Sequence, residues 1–168
     1  MPARLVLSLI ALLASQPQLA AAQAAGAERV DLVRVDKSER RMELLAKGKV
    51  LRSYRIALGA NPVGQKQREG DERTPEGRYV LNWRNPKSAA YKSIHISYPD
   101  DRDEAAARAM GVSPGGMVMI HGQINGFGWM SPLMQWFDWT NGCIAVNNAE
   151  MEEIWAMVEN GTPIEIDP

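Results

Sequence analysis

The sequence is poor in the residues that usually carry chemistry, with one cysteine and two histidines among 168 residues. That set cannot assemble a four-ligand Cys/His site, which excludes a structural zinc. A single cysteine also excludes an internal disulfide framework. Neither sign of charge dominates, since 19 Lys and Arg face 20 Asp and Glu for a net charge of −1. Broad nucleic-acid binding needs a concentrated basic face, which this balance does not supply. The apolar run Leu5 to Ala14 is about half the length that spans a bilayer.

That run follows Arg4 and precedes Ala20-Ala21-Ala22, small residues of the kind a signal peptidase reads. Residues 1–22 are therefore expected to form a cleaved signal peptide, 23–28 a flexible leader and 29–168 one domain. No cysteine directly follows the run, so a lipoprotein anchor is not available. The expected location is the periplasm or the exterior, with no stable membrane insertion after cleavage. In such a compartment the lone Cys143 is either a small buried hydrophobe or a reactive thiol.

The chain reads as strands first and helices late. Val30 to Ile56 holds successive β-branched or alternating runs, with polar turns at Asp36 to Glu39 and at Lys47-Gly48. Gly59 to Gly77 is rich in Gly, Pro and charge and reads as a long surface loop. Further strands are expected at Arg78 to Trp83, Lys92 to Tyr98, Met117 to Ile120 and Pro163 to Ile166. Asp101 to Met110 predicts a short helix with Asp101 and Glu104 in capping-box spacing. A second helix is expected from Asn147 to Glu159, with Met151, Ile154, Trp155 and Val158 on one face. The fold class is mostly β, sandwich-like or barrel-like, with two peripheral helices.

Chemistry concentrates between two strand ends. Met117-Val118-Met119-Ile120 ends in His121-Gly122, and Thr140-Asn141-Gly142-Cys143 opens a second apolar strand. A cysteine after Gly at a strand start can expose its sulfur where backbone N–H groups also point, giving a nucleophile and an oxyanion site together. A histidine on a neighbouring strand end can take the thiol proton.

These segments resemble the L,D-transpeptidase catalytic domain of the YkuD type. Gly70 to Tyr79, with Thr74-Pro75-Glu76-Gly77, is similar to the family's Thr-Pro-x-Gly block; Ile120-His121-Gly122 to its His-Gly; and Thr140 to Ile144 to its Gly-Cys signature. The resemblance covers residues 29–168. It implies Cys143 as nucleophile, His121 as base and the Gly122 carbonyl as the group that orients the imidazole. It also implies that the Gly142 and Cys143 N–H groups face the oxyanion, with Thr140, Asn141 and Arg73 around the substrate. The expected reaction is acyl transfer on peptidoglycan stem peptides through a Cys thioester, passed to an amine acceptor or to water. No metal or organic cofactor is implied.

Two residues depart from the family pattern. Asn141 stands in place of a His, and Ala145 in place of an Arg that would anchor a carboxylate. Arg73 and Arg84 are candidate replacements, each with a solvated surface role as the plainer reading; His95 reads as a surface or supporting histidine. A hydrolytic outcome (L,D-carboxypeptidase or amidase) on the same thiol is the nearest alternative, and a non-catalytic wall-binding module the next. Between the two candidate catalytic residues, Gly126 to Trp139 holds Trp129, Trp136 and Trp139 and both Phe residues, Phe127 and Phe137. It is either a loop packed into the core or a lid with Trp129 at its tip, and Leu133 to Phe137 could form a single turn.

Overall fold

The computed structural model describes residues 29–168; the expected signal segment and leader lie outside the described residues. Eight strands form one sheet: β1 (Leu32–Asp36), β2 (Arg41–Ala46), β3 (Lys49–Arg55), β4 (Gly77–Asn85), β5 (Ser93–Ile96), β6 (Met119–His121), β7 (Ile144–Ala145) and β8 (Thr162–Asp167). Their order is β3-β2-β1-β8-β4-β5-β6-β7. The pairs β1–β8 and β6–β7 are parallel and the rest antiparallel. The sheet curls into a half-barrel whose two edges touch. Just past β3, Ala57 donates its N–H to Ala145 O of β7 at 2.9 Å and accepts the Ala145 N–H at 2.8 Å.

Alternation explains the inner face. Val33 and Val35, Met42 and Leu44, Tyr79 and Leu81, Ile94 and Ile96, Ile164 and Ile166 are all buried, while their strand neighbours are more exposed. Each such aliphatic side chain contributes about 1.5–3 kcal/mol when fully buried. The β2–β3 hairpin turns at Lys47 (φ 51) and Gly48 (φ 78), the paired positive dihedrals of a two-residue hairpin loop.

Three helices lie outside the sheet. Helix α1 (Asp101–Ala109) is capped by Asp100, whose side chain accepts from Arg102 and Asp103 N–H groups while Asp103 caps in return. The box thus sits one residue earlier than the Asp101/Glu104 spacing implied, because the acidic run offers two caps and Asp100 has the extended backbone a cap needs. Helix α2 (Ser131–Met134) is a single turn with Pro132 in its first positions, preceded by a 3₁₀ turn, Gly128–Met130. Helix α3 (Asn148–Met157) is capped by Asn147 with Glu150 closing the box, and buries Met151 and Ile154. It stops at Val158, which is already extended. Among the described residues no helix is long and apolar enough to cross a membrane.

The loop between β3 and β4 is anchored by a buried cation. Lys37, expected in a surface turn, is 2% exposed and donates to Gly64 O (2.9 Å), Thr74 O (3.0 Å) and Glu76 Oε1 (2.7 Å). Burying an ammonium is costly unless acceptors replace the water it loses, and Lys37 has three. Here its partners draw the Thr-Pro block onto the end of β1.

Candidate active site

Strands β6 and β7 run parallel with Ile120 opposite Ile144 and His121 opposite Ala145. The two isoleucines are fully buried in the core. Because side chains alternate, Met119, His121, Cys143 and Ala145 share the other face. Cys143 stands opposite Met119, with His121 two residues further along the same face. The Met119 N–H reaches Cys143 Sγ at 3.4 Å, and the thiol faces Met117 O at 3.7 Å. These backbone groups, not the imidazole, hold the sulfur.

The turn that presents the thiol is braced from inside and behind. Thr140 Oγ1 donates to Cys143 O at 2.7 Å and accepts the Gly142 N–H at 3.1 Å. The Gly142 N–H is therefore already engaged, and the Cys143 N–H is the member of the expected oxyanion pair that lacks an acceptor among the described residues. Gly142 has φ +119, and a Cβ there would lie 2.7 Å from the Arg73 carbonyl oxygen. Only glycine fits. Arg73 thus touches the site through its backbone, while its guanidinium Nη1 donates to Gln65 O at 3.3 Å. The neighbouring Thr74 Oγ1 accepts the Gly59 N–H at 3.1 Å, tying the Thr-Pro block to the sheet edge.

His121 is 8% exposed, with Nδ1 2.6 Å from the Gly122 carbonyl oxygen. A carbonyl oxygen only accepts, so Nδ1 carries the proton and Nε2 keeps a lone pair. Gly122 is held close to its neighbours, since a Cβ would meet Asn148 Oδ1 at 2.7 Å and Tyr91 O at 2.9 Å. Trp139 packs edge-on against the imidazole, with ring centroids 5.8 Å apart. Burial pushes the His121 pKa down, against the opposing pull of the Gly122 carbonyl. Burial likewise pushes the Cys143 thiol up, partly offset by the Met119 N–H and the charge of Lys66. Both shifts favour a neutral thiol beside a neutral imidazole over a standing ion pair.

The remaining candidates lie around this centre. Asn141 is exposed and, with Lys66, lines a cavity of about 380 Å³. Trp129 is 77% exposed and lines a separate cavity of about 570 Å³ with Arg55, Gln135 and Asn148, walled by neither Cys143 nor His121. Ala145 is fully buried at the edge contact with Ala57. Arg84 lies over the Trp155 ring at 5.0 Å, and His95 stacks on Trp83 and meets Asn82 Oδ1 at 2.8 Å. Neither reaches the thiol. Nothing in the sequence marks Lys66, whose charge acts on the thiol, or Trp139, whose ring packs on the imidazole, for these places. Lys66 sits in an irregular charged loop with no periodicity to mark it, and Trp139 is one ring among several in its segment.

The YkuD L,D-transpeptidase catalytic domain matches residues 31–166. YafK of Escherichia coli (strain K12) is 33% identical over 132 residues, which is 75% of this chain and 46% of YafK. The chain spans about half the length of the curated relatives it matches. Among solved structures, the helical cell shape determining protein Pgp2 from Campylobacter jejuni aligns with a TM-score of 0.62 at 22% identity, over 90% of this chain and 55% of that one. An L,D-transpeptidase from Mycobacterium smegmatis aligns with a TM-score of 0.55 at 15% identity, over 82% and 58% of the two chains. Those two likenesses establish the fold. With the match along nearly the whole described region and the identity to YafK, the chain belongs to the L,D-transpeptidase catalytic domain (YkuD) family.

Proposed function

We propose that the chain is an exported cysteine acyltransferase that acts on peptidoglycan stem peptides. The observation that carries this reading is a strand-start thiol and an imidazole on the same face of the sheet, two register positions apart, with the imidazole Nδ1 locked by the Gly122 carbonyl. That lock leaves Nε2 as the acceptor for the thiol proton. As Sγ attacks the scissile carbonyl carbon, the proton passes to His121, and an oxyanion forms facing the Cys143 N–H. Collapse breaks the C–N bond, and His121 returns the proton to the leaving amine. An acceptor amine then attacks the thioester, with His121 again as base, and Sγ leaves as the thiol.

Neutral ground-state partners suit this sequence, because the proton moves only when the electrophile arrives. In this reading Thr140 positions the nucleophile turn, Asn141 and Arg73 border the substrate, and the Gly126 to Trp139 segment is the cover that limits water at the thioester. A hydrolytic enzyme would use the same steps with water as the acceptor. Purified stem peptides incubated with and without an acceptor amine separate the two: a cross-linked or amine-bearing product supports the transferase. Release of only the free acid assigns the hydrolase, and no turnover by wild type with a freely alkylated Cys143 sinks both.

A further inference from the structure

We propose that the cavity of about 380 Å³ beside the nucleophile turn is a carboxylate subsite, and that Lys66 is the residue that binds the carboxylate. The inference deepens the reading above and rests on Cys143 being the reacting group. Lys66 is 5% exposed, and its Nζ donates to Asp71 Oδ1 at 2.7 Å and to Arg68 O at 3.0 Å. An ammonium has three N–H bonds, so one has no acceptor among the described residues. Asp71 does not spend its charge on Lys66 alone. Its oxygens also accept the N–H groups of Gln67 (2.7 Å), Arg68 (3.1 Å) and Arg73 (3.2 Å). Burial raises the Asp71 carboxyl, but these amides and Lys66 outweigh it and bring the pKa to about 2. The lysine is thus held in place by a partner whose charge is shared four ways.

Its position bears on the thiol. A Cβ on Gly142 would lie 4.0 Å from Lys66 Nζ, one residue before the nucleophile. Lys66 is also the cation whose charge opposes the upward shift of the Cys143 thiol. Lys66, Asn141, Glu69 and Glu72 supply the polar lining of the cavity, and Gly70, Gly115 and Gly116 leave it free of side chains there. Gly116 leads directly to Met117, whose carbonyl faces the thiol, and Asn141 stands two residues before Cys143, so the cavity borders the segments that hold the nucleophile. Lys66 is the cation that lines this cavity: Arg73 and Arg84 are not in its lining, Arg84 lying over Trp155 and Arg73 donating to Gln65 O, and position 145 carries a fully buried Ala in place of an Arg. Glu69 and Glu72 also line the cavity but are exposed, so solvent and salt screen them far more than the buried ammonium.

The test uses the full chain and two alkylating reagents of nearly equal size, iodoacetate and iodoacetamide. In each case the Cys143 S–C bond forms, iodide leaves, and the thiol proton goes to His121 or solvent. The iodoacetate-to-iodoacetamide rate ratio is expected to be about tenfold higher in the folded protein than in the same chain unfolded, as one charge-assisted hydrogen bond implies. Lys66→Met should return the ratio to the unfolded value. Because that variant strands Asp71, Asn141→Asp provides a second test that keeps the ion pair and should also lower the ratio. A folded-protein ratio equal to the unfolded one, or one that Asn141→Asp and Lys66→Met leave unchanged, overturns the subsite. Stem peptides amidated either at the terminal residue or at the free carboxyl of the diamino acid then show which carboxylate is bound. The informative amide costs wild type about tenfold in kcat/KM and costs Lys66→Met nothing further; if neither amide has an effect, the subsite is not used for donor binding and the proposal fails. A charge preference in alkylation with no turnover of any stem peptide would instead reject the functional reading and retain the subsite.

Discussion

The nucleophile turn Thr140 to Cys143 and the segment Gly126 to Trp139 that leads into it are adjacent in the chain and built on opposite rules. In the turn, one threonine hydroxyl joins the Gly142 N–H to the Cys143 carbonyl, and glycine is pressed against the Arg73 backbone. In the segment, apolar rings face outward: Trp129 is 77% exposed, Trp136 67% and Phe137 60%. Meanwhile Ser131 Oγ, both amide atoms of Gln135 and Trp139 Nε1 are buried without a hydrogen-bond partner among the described residues. Each such group costs about 1–3 kcal/mol. The segment is pinned at its far end, where Asp138 pairs with Arg40 at 2.8 Å and accepts the Leu58 N–H at 3.0 Å. Under the proposed function the difference separates two jobs: the fixed turn would aim the sulfur, and the loosely satisfied segment would be a cover that repacks around what binds.

The sharpest break in this comparison comes from the turn. Cys143→Ala should lower turnover on the order of 10⁴-fold or more with the melting temperature nearly unchanged, because it removes the nucleophile and little volume; retained activity would falsify the assignment of the nucleophile. Gly142→Ala should both destabilise and inactivate, by roughly 2–4 kcal/mol, since the methyl meets a backbone oxygen at a dihedral that only glycine adopts freely. The matched change in the cover, Gly126→Ala, meets nothing within 4 Å and should cost only about 1 kcal/mol from its positive φ. Equal losses in the two variants, measured by denaturant unfolding, would erase the contrast between a braced turn and a tolerant cover.

A pH series sharpens the same point from the side of His121. Burial depresses its pKa below the ordinary 6.5, so the folded state binds its proton less readily than the unfolded chain. Stability from this group is therefore present above pH 6.5 and lost as pH falls through and below that value. Activity follows the same direction, because only neutral His121 can accept the thiol proton. The acid limb of the kcat/KM profile should lie below 6.5, and His121→Ala should remove the limb along with roughly 10²–10⁴-fold of the rate. An acid limb at or above 6.5 would mean that the imidazole is stabilised as a cation, as in a standing ion pair.

How far the sequence could be read follows from the same physics. The β2–β3 turn, the cap of α3 and the alternating strands were legible because each is encoded within a few consecutive residues. His121 and Cys143 were legible because each ends or begins an apolar run. The α1 cap was displaced by one residue because Asp100 and Asp101 satisfy the same local rule and only backbone geometry decides between them. The burial of Lys37 and Lys66 was not legible. Their partners Glu76 and Asp71 lie in a loop whose path depends on long-range packing, and a lysine bound for the interior looks like any other in a polar run. The half-barrel contact of Ala57 with Ala145 was hidden for the same reason, since two alanines carry no pattern.

The smallest expected effect tests the cover itself. Trp129 follows the glycines at 126 and 128, projects at 77% exposure and shares its cavity with Asn148, whose Oδ1 also accepts the Gln123 N–H at 2.8 Å. So little of the ring is buried that Trp129→Ala should change unfolding free energy by less than about 1 kcal/mol. Its effect should fall on partition of the thioester. A ring that folds over the acyl-enzyme excludes water, so its loss should raise hydrolysis relative to transfer, or raise KM where the ring touches the donor. Trp139→Ala offers the contrast, because that ring packs on the His121 imidazole and its loss should move the acid limb as well. Product analysis of both variants at a fixed acceptor concentration distinguishes the roles. If Trp129→Ala leaves KM and the product ratio at wild-type values, the exposed ring plays no part in covering the acyl-enzyme, and that function narrows to Trp139 at the imidazole.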